Sequence, residues 1–284
     1  GAAALGTALA IALLKAGNPV ILGHLVDPPT NVAELLIGPW PMNWSAVLLG
    51  IALRLNLPSI SIRNTGTPGI VRWLPLAWLA WQCLSATQTV DPALTRVTLL
   101  QFLACVLCFY LGLFALHHAH QLKVLSIPLV IAFWLVLLAG FDQHYGGLES
   151  TRQMVQQQPG WQNLPPEYLK RIASDRVFAT LFYPNTLAGA ILLLLPLTLY
   201  TSWHAVPVRS SLQRIGRAAL TGSLAYAALA CLYWSGSKAG WLVAAATVGP
   251  IVWRSSLSKR TKWTVLSLAM VLACTGFLVR FSSY

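Results

Sequence analysis

Arg176-Val-Phe-Ala-Thr-Leu-Phe-Tyr-Pro-Asn185 runs directly into Thr186-Leu-Ala-Gly-Ala-Ile-Leu-Leu-Leu-Leu-Pro196. The longest polar segment of the chain precedes this stretch, and a run apolar enough to enter a bilayer follows it. Pro184-Asn185 marks the border. A residue before proline avoids helix, and an Asn ahead of an apolar run is a favoured helix N-cap. A cation, Arg176, therefore stands one short step from the start of a membrane helix. The free N–H groups of that helix start attract anions as well.

Composition agrees with a membrane reading. The 284 residues are 56% hydrophobic and 9% charged, against about 25% charged in a soluble domain. Nine apolar segments approach the roughly 20 residues that a membrane helix needs: 2–23, 40–56, 71–88, 97–117, 123–141, 182–203, 217–234, 237–253 and 263–280. The expected fold is all-α, a polytopic membrane helix bundle formed by one membrane domain over 1–284. Many of the 12 Trp fall near predicted helix ends, where interfacial aromatics sit. Lys15 is the awkward residue of the first segment; it snorkels or faces the bundle interior.

A formal charge of +12 would suggest nucleic acid in a soluble protein. Here the cations track alternate loops. With the N-terminus in the cytoplasm, the loops 57–70, 118–122, 204–216 and 254–262 and their flanks hold Arg54, Arg63, Arg72, Lys123, Arg209, Arg214, Arg217, Arg254, Lys259, Arg260 and Lys262. That is the positive-inside pattern, and it makes nucleic acid an unexpected partner. All seven acids fall on the other side. The one long connection, 142–181, is then an outer loop. Pro165-Pro166-Glu167 starts a short helix there whose Tyr168, Leu169 and Ile172 share a face, suited to lying on the membrane surface. The chain begins with Gly and stops just past an apolar run, so both ends read as cuts. The first segment reads as a retained helix rather than a signal peptide.

Few residues offer chemistry. Arg176 suits an anionic oxygen cluster, because guanidinium donates in a fork and keeps its proton; the plainer alternative pairs it with Asp175. Asn185 caps a helix or orients a ligand. Ser235-Gly-Ser-Lys-Ala-Gly240 joins two apolar segments at the outer face. It is a tight turn with Lys238 as its solvated end, or it adds Lys238 as a second cation beside Arg176. Arg280 would be a third at similar depth. His117, His118 and His120 read as a polar helix end rather than a metal site, and Asp142 and His144 as hydrated loop residues, with acid or base chemistry as their alternative. Cys83, Cys105, Cys108, Cys231 and Cys274 lie in apolar runs and read as small packing residues. No cofactor is expected.

The stretch from Arg176 to Ala188 resembles the motif of the O-antigen ligase and polymerase superfamily: an arginine, a small-Thr-aromatic stretch, then Pro-Asn-x-Leu-Ala opening a membrane helix. Ser235-Gly-Ser-Lys-Ala-Gly-Trp241 is similar to a later family segment, and Leu84-Ser85-Ala86 with Val90-Asp91-Pro92 to a weaker early one. The chain departs from the common form at Ala179, Leu181 and Phe182-Tyr183. The resemblance implies a metal-independent enzyme in the bacterial inner membrane. Its donor would be a glycan on undecaprenyl diphosphate, and its acceptor lipid A–core, a polysaccharide or a protein hydroxyl at the periplasmic face. Arg176 matches the arginine that holds the donor diphosphate, with Asn185, Lys238 and Arg280 as further candidates. A second arginine and a histidine would belong to a later loop beyond Arg280. Membrane transport related to bicarbonate uptake is the alternative, since some relatives are associated with it.

Overall fold

The computed structural model describes residues 1–17, 26–60, 67–116, 118–157, 160–163, 166, 169–170, 173–205, 210–254 and 258–281. Among them, regular structure is entirely helical: α1 (Ala2–Lys15), α2 (Val32–Ile37), α3 (Met42–Asn56), α4 (Gly69–Ser85), α5 (Pro92–Ala115), α6 (Ala119–Asp142), α7 (Leu148–Gln156), α8 (Pro184–Ala205), α9 (Ser211–Trp234), α10 (Lys238–Arg254) and α11 (Lys259–Phe281), with short 3-10 and π-type turns between some of them. Each expected apolar segment coincides with a helix, usually to within a few residues. The first is the exception, because α1 ends at Lys15. Among the described residues, four helical runs are long and apolar enough to cross a membrane: Pro92–Ala115, Ala119–Gln153, Pro184–His204 and Ser211–Ser235. The helices α1, α3, α4 and α10 have 14, 15, 17 and 17 residues, short of the ~20 that span a hydrocarbon core.

The chain divides into two compact units, Gly1–Leu135 and Val136–Tyr284. In the first, α1 lies against α3, and α5 against α3 and α4. The Asn56 amide donates to the carbonyls of Ala52 and Gly1, tying the end of α3 to the chain start. Lys15 bonds the end of α2. Its Nζ donates to the carbonyls of Leu36 and Gly38, filling acceptors that the short α2 leaves open at its C-terminal end.

In the second unit α8 packs on α9 and α10, and α10 on α11. Its interior holds Leu137, Val177, Leu187, Ile191, Leu224, Cys231 and Leu232, all nearly inaccessible. Cys231 fills a tight space beside Gly140 and is a packing residue as expected; Cys83 and Cys105 are exposed instead. Outward-facing Leu193, Leu229 and Tyr226 give α8 and α9 the apolar exterior of helices solvated by lipid.

The expected long loop starts as structure. α6 runs through a π-type turn, Gln143–Gly147, in which Gly146 takes φ 129°, and continues after the kink as α7. Too few apolar residues mark 148–156 for the sequence to announce a helix there. The surface helix expected around Tyr168, Leu169 and Ile172 falls largely outside the described residues.

Candidate functional site

Two non-glycine residues have left-handed backbone, Ala179 at φ 51° and Phe182 at φ 59°. Both lie between Arg176 and Asn185, at positions where the chain departs from the family motif. The Leu181 amide bonds Phe178 O at 3.0 Å, and the Tyr183 amide bonds Leu181 O at 2.6 Å, folding the segment into two successive tight turns. Left-handed backbone at an L-residue costs about 1–2 kcal/mol, so other contacts must hold these turns in place.

Gln143 supplies them. Its Oε1 accepts from the amides of Phe178 at 3.1 Å and Ala179 at 2.7 Å, and its Nε2 donates to Ala179 O at 2.9 Å. One side-chain amide thus pairs three backbone groups of the turn. Beside it, the Val177 amide donates to Trp234 O at 3.2 Å, and the Val177 side chain is fully buried.

Arg176 closes the other edge. Its Nε donates to Ser235 O at 2.7 Å and one terminal nitrogen donates to Asn185 Oδ1 at 2.9 Å. The first contact fills a carbonyl at the C-terminal end of α9, where a cation also suits the helix dipole. The second corrects the reading of Asn185 as an N-cap. Pro184 is the first helical residue, and the Leu187 amide bonds Tyr183 O. The preference of proline for the first helical position prevails. Asn185 is exposed in the first turn of α8 and holds the guanidinium instead.

Asp175 is not the partner of Arg176. It pairs with Arg152 at 2.6 Å, which also pairs with Glu149 at 3.1 Å.

The Ser235–Gly240 turn is a helix–turn–helix joint. Gly236 takes φ 57° past the end of α9, and Ser237 Oγ accepts from the Gly240 amide at 3.1 Å, capping α10. A Cβ on Gly240 would come within 2.8 Å of Ala188 Cβ, so this glycine lets α10 approach α8. Lys238 opens α10 and is exposed. The structure thus brings Arg176 and Asn185 into contact and sets Lys238 three residues beyond the carbonyl that Arg176 bonds. Arg280 lies in α11, and its side chain is outside the described residues.

Sequence reasoning missed Gln143 and the stacking of His144. His144 is exposed, and its ring stacks on Trp234 at 3.9 Å and 11°. Trp234 meets Phe141 edge-on at 4.8 Å. Beside this stack opens a cleft of about 580 Å³ lined by Gln143, His144, Glu149, Arg152, Asp175, Tyr233 and Trp234, among others. Among the described residues no group of three or more His, Cys, Asp or Glu is placed to hold a metal; His117 falls outside them.

Fold and site together define a helical protein with helices suited to a membrane. Comparison with models of protein families, with curated proteins and with solved structures finds no match for the chain.

Proposed function

We propose that the protein transfers a glycan from undecaprenyl diphosphate to an acceptor hydroxyl at the outer face of the bacterial cytoplasmic membrane. The observation that carries this reading is the fixed position of Arg176. Its guanidinium is braced between the end of α9 and the first turn of α8, inside the segment that resembles the ligase motif. Nine crossings, a cytoplasmic N-terminus and a periplasmic 142–181 segment belong to the same proposal.

In this reaction the acceptor oxygen bonds the sugar C1 as the C1–O bond to the diphosphate breaks, and the hydroxyl proton passes to solvent. Charge grows on the departing diphosphate. A cation held in advance stabilises that charge without reorganising during the reaction. Arg176 takes this role, helped by the amides that open α8 and by Lys238. Arg280 and a glycan acceptor complete the proposed set.

The test is glycan transfer by full-length protein in membranes. Arg176→Ala abolishes transfer while the protein stays inserted, and Arg176→Lys, which keeps the charge but loses the fork, recovers a minor part. Undiminished transfer by Arg176→Ala sinks the assignment. A cysteine placed at Gln157 reacts with an impermeant thiol reagent from outside, and one at Ser256 does not; the reverse pattern inverts the topology.

A further inference from the structure

The cleft beside Arg176 has a chemistry of its own. One wall is aromatic: the His144 ring stacks on Trp234, with Tyr233 adjacent. The other wall is the Glu149–Arg152–Asp175 ion-pair chain. Arg152 occupies one oxygen of each carboxylate, Glu149 Oε2 and Asp175 Oδ1. Both carboxylate side chains are exposed, Asp175 at 89% and Glu149 at 59%.

The cleft is therefore lined both by aromatic rings and by an ion-paired set of two carboxylates and a guanidinium. Two carboxylates against one cation disfavour an anion. A neutral ligand with both apolar C–H faces and many hydroxyls satisfies both walls, and that describes a sugar ring. The volume, about 580 Å³, falls within the range of roughly 300–1,000 Å³ usual for small-ligand sites.

The cleft also shares its frame with the Arg176 site. Asp175 lines the cleft and Arg176 follows it in the chain. Trp234 lines the cleft, and Ser235, the next residue, accepts from Arg176. Gln143 lines the cleft and holds the strained turn at Ala179. We propose that this cleft is a saccharide subsite that receives a neutral sugar ring next to the anion held at Arg176. This assignment rests on the transferase reading only for the origin of the sugar.

The experiment uses the full chain in lipid nanodiscs and saturation-transfer NMR with neutral oligosaccharides of hexoses and N-acetylhexosamines as probes. Wild-type protein saturates the sugar ring protons. Glu149→Ala, on the exposed face of α7, and His144→Ala each weaken binding about tenfold, as losing one ligand-facing contact predicts. Thermal unfolding confirms that each variant is folded, and Glu149→Ala serves alone if His144→Ala is not. No saturation of any probe by wild type overturns the proposal. So does undiminished saturation in Glu149→Ala, or binding of ethanolamine and choline without saccharide. Inorganic pyrophosphate, titrated into wild type and Arg176→Ala, reports on the neighbouring site. Saccharide bound but pyrophosphate ignored by Arg176 overturns the transferase reading alone; pyrophosphate bound at Arg176 without saccharide overturns the subsite alone.

Discussion

Replacing Gln143 with alanine tests whether the strained turn is held from outside. Three hydrogen bonds are lost at once, two to the amides of Phe178 and Ala179 and one to Ala179 O. At about 1 kcal/mol net for each bond, opening of the turn becomes easier by roughly 3 kcal/mol. The left-handed backbone of Ala179 adds to this, because nothing in the alanine side chain favours that conformation. Three kcal/mol corresponds to about two orders of magnitude in the population of the open turn.

Amide hydrogen exchange measures that population directly. In Gln143→Ala the peptide spanning 176–183 exchanges about a hundredfold faster than in wild type, while the interior of α8 is unchanged. Gln143→Glu separates the two kinds of bond. Its carboxylate still accepts from both amides but confronts Ala179 O with a second acceptor, so protection is intermediate at neutral pH. On acidification the carboxyl gains a proton and can donate to that carbonyl, and protection relative to wild type recovers as pH falls. Exchange in Gln143→Ala within threefold of wild type would refute the reasoning: the turn would then be stable by itself.

Other expectations follow from the same geometry. Ala179→Gly removes a conformational cost of about 1–2 kcal/mol and adds unfolded-state entropy worth about half of it, so thermal unfolding shows a neutral or slightly higher Tm. Ala179→Val, β-branched at φ 51°, lowers stability by about 1–3 kcal/mol. Gly240→Ala drives a methyl against Ala188 and costs about 1–3 kcal/mol in chemical unfolding; adding Ala188→Gly restores most of it. A double variant no more stable than Gly240→Ala alone would place the crowding elsewhere.

The helices were legible because apolar runs bounded by polar loops carry their own length signal, as α5, α6, α8 and α9 demonstrate. The contacts that shape the site were not. Gln143 and Ala179 are 36 residues apart, and a glutamine ahead of a polar segment has no mark of a side chain that pairs with distant backbone. The stacking of His144 was not legible because its partner, Trp234, lies on another helix. Asn185 was open to a better reading from sequence alone: proline favours the first helical position, which moves the N-cap to Tyr183 and frees the Asn185 side chain. Asp175 beside Arg176 suggested a local pair. Arg152, 23 residues upstream, takes that carboxylate instead.

These contacts explain how so irregular a segment persists. Asp175 is tied to α7 through Arg152, Arg176 and Val177 to the end of α9, and Ala179 to the π-type turn through Gln143. With the Phe178 amide also held by Gln143, all five residues from Asp175 to Ala179 are anchored on three separate pieces of structure, and the segment then enters α8 at Pro184. Two left-handed residues survive in such a span only when the surroundings over-determine their backbone. The cost of that strain is set against fixed placement of one guanidinium at the first turn of α8. A bundle needing only a connection between 175 and 184 would be served by unstrained backbone. Under the proposed transferase reading, the cation that stabilises charge on a departing diphosphate must be held before the charge appears, and a strained segment anchored in this way would meet that requirement.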